Sequence, residues 1–254
     1  MKSSTKRPIG IVGGVGPYAG LDLNQKIFAS TPTEREQDHF QVFLLSCSSL
    51  IGDRTEFLLD PQGHENPGDA IYEVIEKLHR IGAEVIGIPC NTSHAGPIYS
   101  LVLKRMKENA LDVTLVNMIE ETVRYTRKSY PDTRRVGLLA TLGTYSSEVY
   151  SEAFRRLADI EVLVPQADEQ RRVHAAIYDP EYGIKNHPNP IARRAIDALV
   201  TVSDALVARG SQAIIMGCTE IPLAMRPVDI GVPRIDTTLV LAQALISRAQ
   251  SAIG

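Results

Sequence analysis

The sequence predicts an α/β protein built from two similar parallel-sheet domains related by a pseudo-two-fold axis, with a ligand site in the cleft between them. Three observations lead there. Short β-branched runs alternate with longer amphipathic segments, the pattern of parallel strands covered by helices. The stretch Ile9-Gly10-Ile11-Val12-Gly13-Gly14-Val15-Gly16-Pro17-Tyr18 overlays Val136-Gly137-Leu138-Leu139-Ala140-Thr141-Leu142-Gly143-Thr144-Tyr145 at an offset of 127 residues, matching two glycines and a tyrosine. The stretch Gly82 to Cys90 overlays Gly210 to Cys218 at an offset of 128, matching the opening glycine and the closing cysteine. Two offsets that agree to one residue indicate two halves of one design.

Taken in order, the apolar run Ile9–Val12 reads as the first strand, and Tyr18–Ala29, beyond a glycine-rich turn, as the first helix. Strands follow at Val42–Ser46, Glu84–Ile88 and Val113–Leu115, with amphipathic helices over Gly68–Ile81, Ser93–Glu108 and Met118–Arg127. The second half repeats the alternation. Its strands are Val136–Leu139, Glu161–Val164 and Gln212–Met216, and its helices Ser146–Leu157, Gln166–Tyr178 and Ile191–Arg209, with a last helix over Thr237–Ala252.

The bulk numbers narrow the function. A chain of 254 residues with net charge −3 offers no long-range attraction to nucleic acid or anionic lipid, so the expected partner is a small molecule. No apolar run spans a bilayer and the N-terminal stretch is not a signal peptide, which makes the cytoplasm the expected location. Cys47, Cys90 and Cys218 are widely spaced and form no CxxC pair, so they suggest neither a disulfide framework nor a zinc site. Any cysteine that matters does so as a free thiol.

Cys90 and Cys218 each close a buried strand and precede a helix. In open parallel sheets, ligands bind beyond the carboxyl ends of the strands. Unpaired N–H groups and a helix dipole at that place favour negative charge, and so are expected to make a thiol of ordinary pKa about 8.5 a usable base. Asn91-Thr92 and Thr219-Glu220 stand beside the two thiols. A planar carbanion with a proton donor on one face and an acceptor on the other can invert a stereocentre with no cofactor. Thr92, Thr141, Thr219 and neighbouring N–H groups suit the charge that develops on a substrate carboxylate.

Four blocks, "IGIVGGVGP", "PCNTSHA", "GLLATLGTYSSEVY" and "MGCTEIPL", resemble the aspartate/glutamate racemase family, the PLP-independent amino-acid racemases. The resemblance implies a C-terminal helix returning to the first domain. The first domain is then residues 1–116 plus 232–254, and the second 117–231. It also implies Cys90 and Cys218 as the acid/base thiols, an acidic amino acid as substrate, no cofactor and no metal, and a possible homodimer. The substrate contacts it suggests are Gly14, Val15, Asn91, Thr92, Thr141, Thr144, Thr219 and Glu220. Arg54 in "GDRT" and Lys185 in "GIKN" are the implied contacts to the substrate's side-chain carboxylate. The alternatives are a decarboxylase, a cis/trans isomerase or a racemase of a different amino acid on the same fold, and a binding or regulatory protein that has lost turnover.

Other readings of single residues are plainer. Cys47 reads as a small core hydrophobe near the second strand end. His94, four residues after Cys90, has no completed metal shell around it and reads as a cap or support. Gly14 to Ala19 fits the dinucleotide GxGxxG/A pattern, but the second strand ends in Leu45-Ser46-Cys47 with no acidic residue for a ribose, so a turn facing a small anion is preferred. His187 reads as exposed, and Glu220 as a group that orients a neighbour or meets the dipole.

Overall fold

A computed structural model describes residues 6–225 and 228–250. The chain divides into two compact units, one running to Glu121 and resuming at Thr238, the other Thr122–Thr237. In unit 1 the strands β1 (Ile9–Gly13), β2 (Val42–Ser46), β3 (Val85–Gly87) and β4 (Thr114–Val116) form a parallel sheet in the order β2-β1-β3-β4. In unit 2, β5 (Arg135–Ala140), β6 (Glu161–Leu163), β7 (Ala213–Gly217) and β8 (Arg234–Asp236) form another in the order β6-β5-β7-β8. The topologies are the same.

The repeat read from the sequence extends to pairing register. Gly10 lies opposite Ile86, and Gly137 opposite Ile214, at the offsets the two overlays gave. The glycines recur for a packing reason. A Cβ on Gly10 would stand 2.9 Å from the Ala83 Cβ and 3.0 Å from Ile86 Cγ1, and one on Gly137 would stand 2.5 Å from Ile214 Cδ1. In both sheets the central isoleucine fills the space a side chain would need.

Helices cover both faces of the first sheet. Against one lie α3 (Gly68–Arg80) and α4 (Gly96–Glu108), whose Ile71, Val74, Ile75, Leu78, Ile98 and Val102 pack with Val12, Ile86 and Ile88. Against the other lie α1 (Pro17–Ala29) and α11 (Thr237–Gln250), with Leu23, Ile27, Leu241 and Leu245 packed on Ile9, Ile11 and Val85. The alternation of β1 residues between the two cores follows from the two-residue repeat of a strand. The remaining helices are α2 (Arg54–Leu59), α5 (Met118–Ser129), α6 (Leu142–Ser146), α7 (Val149–Leu157), α8 (Ala167–Tyr178), α9 (Arg193–Ala208) and α10 (Ile221–Met225). In unit 2, α8 and α9 supply Val173, Ile177, Leu199 and Val202 to a core with Leu139 and Ile214.

Three segments differ from the sequence-based expectation. The helix expected over Ser93–Glu108 begins only at Gly96, because Pro97 is tolerated in a first helical turn and not further in; residues 92–94 form a separate 3-10 turn. The helix expected over Ser146–Leu157 begins only at Val149, after Glu148 with its φ of 52°, and a separate short helix, α6, precedes it. Residues 234–236 form β8 on the edge beside β7, so that stretch belongs to unit 2 and the return to unit 1 begins at Thr238. The end of the expected Thr237–Ala252 helix lies outside the described residues.

Candidate active site

In unit 1, Cys90 stands three residues beyond β3 and is 7% exposed. Its N–H donates to Ile88 O at 2.8 Å, and the chain then turns through Asn91, Thr92 and Ser93, all buried. Ile11 pairs with Gly87, so Gly14 and Cys90, each three residues further on, leave the same end of the sheet. Gly14 has φ +85°, a conformation open mainly to glycine, and lies close against the backbone of Cys47 and Ser48. The side chain of Val15 is buried in the apolar cluster that contains Cys90, so what Val15 can offer a ligand is its backbone. Cys47 is half-buried and packs on that cluster.

Arg54 opens α2. Asp53 caps this helix, accepting from Thr55 N at 2.7 Å and Glu56 N at 3.0 Å. α2 packs against the 3-10 turn that follows Cys90. Arg54 is 6% exposed, with Nη1 donating to Gly52 O at 2.9 Å.

His94 fixes the Cys90 main chain. Its Nε2 accepts from Met118 N at 3.2 Å, so in the neutral ring the proton sits on Nδ1, which donates to Cys90 O at 2.9 Å. The ring stacks on Tyr99 with centroids 5.0 Å apart. Burial pushes its pKa down to about 4, against smaller upward contributions led by the hydrogen bond to the Cys90 backbone. A depressed folded-state value means that the unfolded chain takes up a proton first. The stability present above about pH 6.5 is therefore lost as pH falls toward about 4, by on the order of 3 kcal/mol from this group. Urea midpoints across that window should fall more steeply in the wild type than in a His94→Asn variant; parallel slopes would remove His94 from this account.

In unit 2, Ala140 pairs with Gly217, so Thr141 and Cys218 are the next residues on neighbouring strands. Thr141 caps α6, accepting from Thr144 N at 3.4 Å, and both threonines are buried. Cys218 is 7% exposed; its Sγ–H donates to Glu220 Oε2 at 2.9 Å, an oxygen that also accepts from Thr219 Oγ1 at 3.2 Å. Burial pushes the Cys218 thiol well up, and the Glu220 charge adds to it. The positive charge of Lys185 and a hydrogen bond from the Glu220 backbone pull the other way without reversing the result.

The lowered thiol expected at this strand end is thus corrected for Cys218: the helix after it, α10, has only five residues, while a carboxylate faces the sulfur. Cys218 rests as a thiol whose proton points at a buried acceptor. Glu220 is bonded to the thiol itself, which makes it more than a dipole partner. Lys185 is half-buried beyond α8, donating to Tyr178 Oη at 2.8 Å, and His187 is exposed. Tyr178 and His174 escaped the sequence reading, although their spacing of four on one helix places them on one face. Among the described residues, no group of three His, Cys, Asp or Glu side chains is placed to hold a metal ion, and no helix is long and apolar enough to cross a membrane.

Residues 12–245 match the family described as Asp/Glu/Hydantoin racemase. The chain belongs to that family. Among relatives of this racemase-family chain, the broad specificity amino-acid racemase RacX of Bacillus subtilis is 25% identical over 250 residues, covering 94% of this chain and 96% of the relative. A glutamate racemase of Oceanobacillus iheyensis is 26% identical over 230 residues, covering 85% and 68%. Among solved structures, the Picrophilus torridus aspartate racemase superposes with a TM-score of 0.77 at 28% identity, covering 98% of this chain and 96% of that one.

Proposed function

We propose that this member of the Asp/Glu/hydantoin racemase family is a cofactor-independent racemase of acidic amino acids, aspartate or glutamate, working with two thiols. The observation that carries the reading is the placement of Cys90 and Cys218 at the C-terminal strand ends of two sheets with the same topology and register. One thiolate removes the α-proton, the electron pair passes into an enolate-like carbanion, and the opposite thiol returns a proton to the other face. Cys218, held as a thiol by Glu220, starts as a donor; once it has given its proton to the carbanion it is the thiolate that removes the α-proton in reverse, and Cys90 is then the thiol that donates.

On this reading one thiol serves each face of one small acid. Asn91, Thr92, Thr141, Thr144, Thr219 and the Gly14-Val15 backbone meet its α-carboxylate, and Arg54 and Lys185 meet its side-chain carboxylate. Buried hydroxyl and N–H donors aimed at the developing charge supply the stabilisation that the weakly acidic α-proton requires. Three cysteines without disulfide bonds suit a reducing compartment, the cytoplasm.

The deciding experiment offers each enantiomer of aspartate, glutamate and several neutral amino acids in deuterium oxide. Both enantiomers of an acidic amino acid should appear on chiral chromatography, with deuterium at the α-carbon of the product. Bound amino acid that keeps its α-hydrogen would make the protein a binder, and loss of carbon dioxide would make it a decarboxylase.

A further inference from the structure

Lys185, half-buried after α8, is held by both its backbone and its side chain. The loop backbone is tied to the end of α8: Ile184 N donates to Ala176 O at 3.0 Å and Lys185 N to Ile177 O at 3.1 Å. The side chain is tied a second time. Its ammonium sits 4.0 Å from the ring centroid of Tyr178 and donates to the hydroxyl of the same residue at 2.8 Å. That ring in turn stacks on His174, centroids 4.6 Å apart and planes 23° apart. His174 Nδ1 accepts from Leu142 N at 3.5 Å, which references the stack to the turn after Thr141, the neighbour of Cys218 across the paired strands.

A lysine side chain has many rotamers and three donors. One donor and one face of the ammonium are committed to Tyr178. We propose that Tyr178 is a positioning residue for Lys185, holding its ammonium in advance where the side-chain carboxylate of an acidic amino acid docks, with His174 as the platform beneath the ring. This rests on the reading above that Lys185 meets that carboxylate. The consequence is specificity: ordering the cation before binding lowers the cost of recognising a second carboxylate, and does nothing for an amino acid that has none.

Tyr178→Phe keeps the ring and the stack but removes the hydroxyl acceptor, and Tyr178→Leu removes both. Dissociation constants by calorimetry and KM and kcat should be measured for aspartate, glutamate and alanine, in these variants and in a Lys185→Met background. Tyr178→Phe should weaken the acidic amino acids by about three- to ten-fold in Kd and KM, the effect of one charged hydrogen bond, with kcat within about two-fold. Tyr178→Leu should weaken them further, alanine should be unaffected, and neither change should matter once Lys185 is methionine.

Equal weakening of acidic and neutral ligands, or a full effect in the Lys185→Met background, would make Tyr178 merely structural and overturn the proposal. So would unchanged affinities, or a wild type with no affinity for either acid. A wild type that binds acidic amino acids but racemises none sinks the racemase reading instead, and its affinities still test Tyr178.

Discussion

Cys90→Ser and Cys218→Ser are each expected to lower racemisation by about 10²–10⁴-fold, the range associated with loss of a positioned acid or base. Serine preserves the shape of both sites. At position 218 its hydroxyl can still donate to Glu220, the partner of the native thiol at 2.9 Å, so folding should survive the change. What is lost is ionisation, since a hydroxyl does not become a base near neutrality. Each variant keeps one working thiol and should still exchange the α-hydrogen of one enantiomer with solvent deuterium, the two variants choosing opposite enantiomers. Chiral product analysis and mass spectrometry of recovered substrate read both effects. Two single variants that racemise at the wild-type rate would refute the two-thiol mechanism.

Gly14→Ala is expected to cost about 2–4 kcal/mol of folding stability. About 1–2 kcal/mol comes from forcing an L-residue into a left-handed conformation, and the rest from overpacking. The new Cβ would lie 2.5 Å from Ser48 N and 2.6 Å from Cys47 N, and backbone atoms at the end of β2 cannot swing aside as a flexible side chain would. Gly82→Ala is the control. It shares a positive φ, +104°, but its Cβ meets nothing within 4 Å, so it should lose only the conformational part. Urea denaturation of both variants measures the difference, and equal losses would show that the turn yields more easily than its geometry suggests.

Much of the architecture was legible because its signals are repeated. Gly10 and Gly137 stand out in the sequence for the same reason that they matter in the sheets: a central isoleucine occupies the space beside each. The short helices were not legible. α2, α6 and α10 span five or six residues, too few for a period of 3.6 to register. Capping residues were their available signals, Asp53 for α2 and Thr141 for α6.

The places of the candidate residues along the chain were readable in the sequence, and their electrostatics were not. Position along the chain identified Cys218, but only the folded turn shows the Glu220 carboxylate doubling back onto the sulfur two residues earlier, which reverses the expected direction of the thiol. His94 was legible as a support because it lies four residues from Cys90; its second anchor, Met118 N, comes from a segment 24 residues further on. Tyr178 and His174 carry no motif, and their pairing with Lys185 depends on a loop that returns to the end of α8.

The route of α11 sets an order on biosynthesis. Unit 2 is one continuous stretch, whereas the core of unit 1 beneath β1 needs Leu241 and Leu245, which are synthesised after all of unit 2. The core of unit 1 can therefore close only after unit 2 has been synthesised, and until then one face of its sheet lacks the helix that covers it, a stage at which a chaperone or a premature stop has a marked effect.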